Sequence, residues 1–477
     1  MPKTDLARLG RLVDGTITGD SSTFVSDVIH DSRDSSPDTL FVAIRGFTVD
    51  GHDYVQQAVE RGAPAVCVES PQELTTPQLI VGDTRAALPK LAAEIHGHPS
   101  HKLRVVGVTG TNGKTTVTFM IESIVATAGG VAGRLGTLGA RSSGRSIALQ
   151  RTTPEASDVQ RLLAAMVGDG VDVVAMEVSS HALELGRAAE IRYAVAAFTN
   201  LSVDHLDFHP DLEAYFAAKA RLFDFADAKV IHRGAWGDRL AERHPDALLV
   251  GPGGQITARD VVESNVSSRF TLATPDSDAA VDLPLAGDFN ISNALVAAGC
   301  AIQLGYSVNV IAAGLTALAT VPGRMERVEW SGPFDIYVDY AHTPEGIEVA
   351  VSAARRFTRG RVIVVFGAGG DRDESKRPLM GEASARADVV WITSDNPRSE
   401  DPDAIINEVL AGLPDAVTPH VEPDRRSAIR GAVGMAQPAD TVLILGKGHE
   451  QGQEVGGVLL PFDDHRVATE AVAEVAR

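Results

Sequence analysis

Cysteine is nearly absent: Cys67 and Cys300 are the only two in 477 residues. They stand far apart in apolar surroundings, which excludes a disulfide scaffold and fits a reducing compartment. Positive charge is also short, with 43 Lys and Arg against 63 Asp and Glu, a net charge of −20. A chain this acidic, with no basic block, is poorly built to grip a nucleic-acid backbone. Any phosphate it binds is expected to be small and met by a local device. Long apolar runs are missing too. Segments such as Val171 to Met176 and Thr441 to Leu445 fall far short of the ~20 residues of a membrane span. The first ten residues, Met1 to Gly10, hold no continuous apolar core, so no secretory signal is expected. No internal repeat or low-complexity segment appears. The expectation is a soluble, cytoplasmic, monomeric protein acting on small molecules.

What is present is the mix of a folded protein, 44% apolar and 22% charged, long enough for about three domains. Its recurring unit is a short β-branched run, a glycine-rich or polar turn, then an alanine-rich helical stretch. Val105 to Val108, Val171 to Met176, Arg361 to Phe366 and Thr441 to Leu445 each lead into such a turn. Apolar strands alternating with helices predict parallel sheets covered on both faces. Ligands in such sheets sit at the carboxyl ends of the strands. Soft boundaries at Gly97–His101 and Val321–Arg324 divide the chain into 1–100, 101–324 and 325–477.

The strongest local signal is Gly107-Val-Thr-Gly-Thr-Asn-Gly-Lys-Thr-Thr116. Glycines free the backbone after a strand, and a lysine and a hydroxyl open the next helix. Backbone N–H groups there can wrap phosphates, Lys114 can reach the terminal ones, and Thr115 can hold Mg²⁺. Val108 stands where the strict phosphate-loop spacing has its first glycine. In Glu177-Val-Ser-Ser-His181 a carboxylate ends an apolar strand, a costly placement unless it is paired or on metal; the bland alternative is a helix cap by Ser179 or Ser180. Asp204, His205, Asp207 and His209 offer metal ligands or simply a solvated loop. Lys219 falls in an apolar stripe with Leu212, Tyr215, Phe216, Leu222 and Phe223. It can snorkel to the surface, or stay desolvated with a lowered pKa and react. The turns Gly370–Asp373, Asp395–Arg398 and Gly446–Glu450 supply arginines for a carboxylate and acids for an ammonium, the needs of an amino acid.

Taken in order along nearly the whole chain, these motifs resemble those of the Mur ligases, ATP-dependent amide-forming enzymes of peptidoglycan assembly. The match runs through Asp31-Ser-Arg33, Gly110–Thr116, Thr152-Thr-Pro154, Glu177–His181, Thr199-Asn200, Asp204-His205, Lys219, Asn290, Arg324, Asp339–His342, Asp395–Arg398 and Gly446–Glu450. The family's phosphate loop is itself of the Gly-Thr-Asn-Gly-Lys-Thr type. Asp-Asn-Pro-Arg resembles the motif of members that add meso-2,6-diaminopimelate to UDP-N-acetylmuramoyl-L-alanyl-D-glutamate. Members adding L-lysine differ at the position of Arg398.

The resemblance implies an α/β fold of three domains: an N-terminal UDP-sugar-binding domain, a central parallel-sheet ATPase domain with the phosphate loop, and a Rossmann-like C-terminal domain for the amino acid. It implies that Gly110, Thr111, Asn112, Gly113, Lys114, Thr115 and Thr116 bind ATP with Asn290, Arg324 and Asp339. Thr115, Glu177, His205 and a carbamylated Lys219 would surround Mg²⁺, and Lys114, Lys219, His205 and Glu177 would carry catalysis. Ser32, Thr152, Thr153, Ser179 and Arg187 would contact the UDP-sugar peptide. Arg372, Asp395, Asn396, Pro397, Arg398, Gly446 and Glu450 would hold diaminopimelate. A lysine-adding ligase and a folylpolyglutamate synthase-like ligase are the neighbouring alternatives, and a non-catalytic ATP-binding scaffold is the alternative of a different class.

Overall fold

The computed structural model describes residues 3–47 and 49–475. Its contacts group into two compact units that interleave along the chain. One comprises 1–109, 128–197 and 217–230, the other 110–127, 198–216 and 231–477.

In the first unit, the strands Asp27–Ile29, Thr39–Val42, Ala65–Val68 and Gln78–Ile80 lie side by side in parallel, with Thr16–Thr18 antiparallel on the edge. The inner strands are apolar on both faces, and helices 55–60 and 84–95 bury them, as continuous apolar runs require. Cys67 lies in this core, where burial pushes its thiol up to about 12, so it is an inert packing residue. Further along, Val173–Glu177 pairs in parallel with both Ala132–Gly136 and Arg104–Thr109. The register sets Glu177 opposite Val108, two residues before the glycine turn. That places a carboxylate at the carboxyl end of a parallel strand, the location where open α/β sheets present their ligands.

In the second unit, the helix Lys114–Thr127 begins on the lysine of the glycine turn. The C-terminal sheet runs Glu326–Arg327, Asp335–Asp339, Thr441–Leu445, Val362–Phe366, Val389–Ile392, His420–Val421, all parallel except the first strand. Two apolar cores cover its faces, one formed with helices 344–357, 376–384 and 402–410, the other with 425–435 and 464–475. Asp339, Phe366, Ile392 and Leu445 end parallel strands. The turns singled out in the sequence therefore leave the same edge of this sheet. Among the described residues no helix is long and apolar enough to cross a membrane.

Candidate active site

The phosphate loop is held from behind. Thr199 Oγ1 donates to the Asn112 carbonyl at 2.6 Å, Asn200 Oδ1 accepts from Asn112 N at 2.9 Å, and the Asn200 carbonyl accepts from Thr111 N at 2.9 Å. The N–H groups of Thr111 and Asn112 are thus committed to Asn200. A phosphate would be met at the N-terminus of the helix that begins at Lys114, where the dipole is strongest. Gly113 has φ +87°, and a Cβ there would meet Asn293 Oδ1 at 2.1 Å, so the loop tolerates only glycine. Lys114 is folded over its own loop, donating to the carbonyls of Gly110 and Thr111, both at 2.8 Å.

Three other expected nucleotide residues stand around this helix start or one step behind it. Arg324 Nη2 donates to Thr115 Oγ1 at 3.0 Å, and its guanidinium lies 4.5 Å over the Tyr340 ring. A cation is therefore already drawn to the hydroxyl expected to face Mg²⁺. Asp339 accepts from the backbone N–H of Met325 and of Ala341, which shapes the hinge carrying Arg324; burial nevertheless raises its pKa. Asn290 is fully buried, donating to the Ala286 carbonyl and accepting from Asn293 Nδ2 at 3.3 Å. Asn293, one turn further along the helix Asp288–Gln303, is the residue that touches the loop; the Asn-x-x-Asn spacing was the signal for it.

Glu177 is 1% exposed and satisfied locally: Oε1 accepts from Thr137 N at 2.9 Å and Oε2 from Thr137 Oγ1 at 3.0 Å. Thr137 Oγ1 in turn lies 3.1 Å from Thr152 Oγ1. Thr153 is buried and spends its hydroxyl on the Glu177 carbonyl and Ser179. Ser179 caps the short helix 180–184 by accepting from Ala182 N, so the plain capping alternative is realised alongside any ligand role. Ser32 is buried with its hydroxyl donating to Gln57 Oε1. Arg187 pairs with Glu155 at 2.9 Å, but Arg85 and Arg151 reach the same carboxylate at 3.3 and 3.1 Å. Three guanidiniums around one carboxylate leave two positive charges over, and burial followed by these like charges lowers the Arg187 pKa despite Glu155. Arg85 and Arg151 carried no motif and were missed.

Lys219 is 2% exposed in the helix Leu212–Ala220, so the snorkelling alternative is excluded. His205 adopts φ +57°, a strained conformation for a non-glycine residue, with Asp204 Oδ1 accepting from its backbone N–H at 3.0 Å. Lys376, absent from every motif, reaches Asp204 Oδ1 at 3.5 Å from a buried position. Against the opposing effect of burial, the adjacent His205 and then the Lys376 cation hold the Asp204 carboxyl far below the usual carboxylate range. Among the described residues no three His, Cys, Asp or Glu side chains form a ready-made metal cluster.

At the C-terminal turns, Asp395 is buried with Oδ2 unpartnered, and Gly446 at φ +113° packs so closely that a Cβ would lie 2.6 Å from that oxygen. A buried carboxylate oxygen without a donor is the complement of an ammonium. Arg398, at φ +53°, donates to the Gly370 carbonyl at 2.5 Å and lies 3.4 Å from Glu454. It is half-buried and already paired within the fold. Pro397 packs its carbonyl against Gly370, and Arg372 is exposed on the turn.

Comparison with known proteins places the chain in a family. The Mur ligase middle domain matches residues 108–301, the Mur ligase glutamate ligase domain 323–448, and the Mur ligase family catalytic domain 25–107. A UDP-N-acetylmuramoyl-L-alanyl-D-glutamate–2,6-diaminopimelate ligase of Geobacillus thermodenitrificans is 43% identical over 469 residues, 93% of this chain and 94% of that one. The chain belongs to the Mur ligase family. A Streptomyces coelicolor ligase of the same name is 42% identical over 497 residues, 98% of this chain and 96% of that one. A solved structure bearing that name superposes with a TM-score of 0.70 at 29% identity, covering both chains completely. As a Mur ligase the protein is an ATP-dependent, amide-bond-forming enzyme with the three-domain α/β architecture the motifs implied.

One consequence for this Mur ligase is a pH effect at His449, whose ring lies 5.2 Å from Tyr340. Burial, helped by the Arg324 charge, pushes its pKa down to about 4 from 6.5. The folded state keeps the ring neutral where the unfolded chain binds a proton. Its share of stability is therefore complete above pH 6.5 and is lost as pH falls toward 4. Chemical unfolding at pH 7 and pH 4.5 is expected to show His449→Gln losing roughly 2 kcal/mol less than the parent between the two.

Proposed function

We propose that this Mur ligase adds meso-2,6-diaminopimelate to the D-glutamate of UDP-N-acetylmuramoyl-L-alanyl-D-glutamate, a cytoplasmic step of peptidoglycan precursor synthesis carried out by a monomer. The observation that carries the choice of amino acid is the Asp395–Arg398 turn. It carries an unpartnered buried carboxylate oxygen on Asp395, an arginine three residues on, and Asn396 bonded to Glu450, groups that suit a zwitterion with a second carboxylate. In this reading 1–100 binds the UDP-sugar, 101–324 binds ATP and 325–477 binds the amino acid. The surplus charge of Arg85, Arg151 and Arg187 around Glu155 fits the anionic UDP-sugar peptide, which Ser32, Thr152, Thr153 and Ser179 help to orient.

The chemistry is the meeting of two anions. The γ-carboxylate of D-glutamate attacks the γ-phosphorus of ATP and ADP leaves. The diaminopimelate amine then attacks the acyl phosphate, and phosphate departs as the amide forms. Phosphoryl transfer asks for positioning and charge neutralisation more than for covalent help. Lys114 leaves the carbonyls of Gly110 and Thr111 and turns to the β- and γ-phosphates, while the N–H groups of 113–116 hold them. Bound Mg²⁺ supplies further neutralisation. The Thr115 hydroxyl, the Glu177 carboxylate, His205 and a carbamylated Lys219 are the groups that would hold it, a mostly oxygen set of the kind Mg²⁺ takes. Asn290 and Asp339 support the loop and the hinge, and Arg324 exchanges the Thr115 hydroxyl for phosphate oxygens.

The test is a substrate screen: ATP, Mg²⁺ and the UDP-muramoyl dipeptide with each diamino acid in turn, read as ADP release. Diaminopimelate is expected to be preferred over L-lysine by about 10²-fold or more in kcat/KM, since the guanidinium of Arg398 can bind a second carboxylate that lysine lacks. Arg398→Ala is expected to erase most of that preference. Preference for L-lysine in the parent, or an unchanged preference in Arg398→Ala, is the contrary result.

A further inference from the structure

Lys447 lies outside every role assigned above, yet it is completely buried, and nothing about a lysine in a glycine turn suggests that it should be. Its ammonium donates to Asn396 Oδ1 at 2.9 Å and to Glu450 Oε2 at 2.9 Å. Asn396 Oδ1 accepts a second bond, from Glu454 N at 2.9 Å, and Asn396 Nδ2 donates to Glu450 Oε2 at 2.8 Å. The cluster ties the turn Asp395–Arg398, the turn Gly446–Glu450 and the hairpin that begins at Gly452 into one network.

The network has one self-consistent orientation. An ammonium and a backbone N–H are donors only, so the Asn396 atom facing them must be the carbonyl oxygen. Flipping the amide would set its NH₂ against two donors and its oxygen against a carboxylate, losing three hydrogen bonds at a buried site. Asn396 therefore has its acceptor consumed by Lys447 and Glu454, and only N–H remains to meet a ligand. Glu450 has both of these bonds on Oε2, which leaves Oε1 as its ligand-facing acceptor.

We infer that Lys447 is a specificity-determining positioning residue: by consuming the Asn396 oxygen and one Glu450 oxygen, it makes Asn396 a pure donor for a carboxylate of the incoming amino acid and sets Glu450 for its ammonium. It touches no substrate and acts through these two side chains. The inference rests on the diaminopimelate reading of this site.

Steady-state kinetics of the full-length enzyme test it. Lys447→Met is expected to raise KM for diaminopimelate about tenfold or more while kcat and the KM values for ATP and the UDP-muramoyl dipeptide stay within about threefold. The effects of Lys447→Met and Asn396→Ala on that KM are expected to be non-additive, because both remove one network. Additive effects, or an equal rise in all three KM values, mark Lys447 as packing only and overturn the inference. Asn396→Asp gives an answer that does not depend on Lys447→Met folding. It keeps the Lys447 contact but replaces the ligand-facing donor with an acceptor, so KM for diaminopimelate must rise comparably; an unchanged value also overturns the inference. The parent enzyme separates the two readings. If it uses diaminopimelate and the variants are normal, only the role of Lys447 falls; if it makes no amide with diaminopimelate, the functional reading falls first.

Discussion

Replacing Lys219 by alanine is expected to lower the turnover of ADP release at least about 100-fold, the scale on which lost support for a bound metal is felt. Lys219 is 2% exposed, in a stretch where Tyr215, Phe216, Leu222 and Phe223 are buried as well. In the proposed carbamate the amine would add to CO₂ with loss of one proton, which would turn a basic side chain into an anionic oxygen ligand. Acetate or formate, small enough to enter the space left by alanine, is expected to restore part of the lost rate. Lys219→Met fills that space without oxygen and is expected to be equally slow but not rescued, which separates packing from chemistry. Normal turnover in Lys219→Ala, or a loss that no carboxylate repairs, contradicts the carbamate.

Lys114→Met is expected to cost about 10³-fold in kcat. The ammonium satisfies two carbonyls of its own loop, bonds that water can replace at a half-exposed position. In the proposed transition state it would face charge spreading over the transferred phosphoryl group, where no water would substitute for it. The change should therefore fall on kcat rather than on folding, with a melting temperature close to the parent's. Single-turnover ADP release, with enzyme in excess over ATP, checks this. A variant that bound ATP poorly but turned over at the normal rate would place Lys114 in ground-state binding alone.

Much of the site could be read directly because its signals are short-range. A β-branched strand followed by glycines, a lysine and a threonine has few other meanings. The helix beginning at Lys114 and the strand ending at Glu177 lie where that pattern puts them. The apolar stripe around Lys219 similarly announced a lysine out of place, although its periodicity could not choose between snorkelling and burial. That choice depends on what packs against the helix, which spacing does not encode.

The amino-acid sequence by itself determined the parallel α/β design, the glycine turn, the strand-end carboxylate and the Asp395–Arg398 turn, since each follows from neighbours within a few residues and from steric rules of the backbone. Only the tertiary structure decided which side chains hold those groups in place. Thr137 meets Glu177 across 40 residues, Lys447 meets Asn396 across 51, and Lys376 meets Asp204 across 172. A threonine or lysine is common anywhere in a chain. It gains meaning when folding removes water around it and leaves one donor facing one acceptor, because an unmet polar group there costs more than the bond returns.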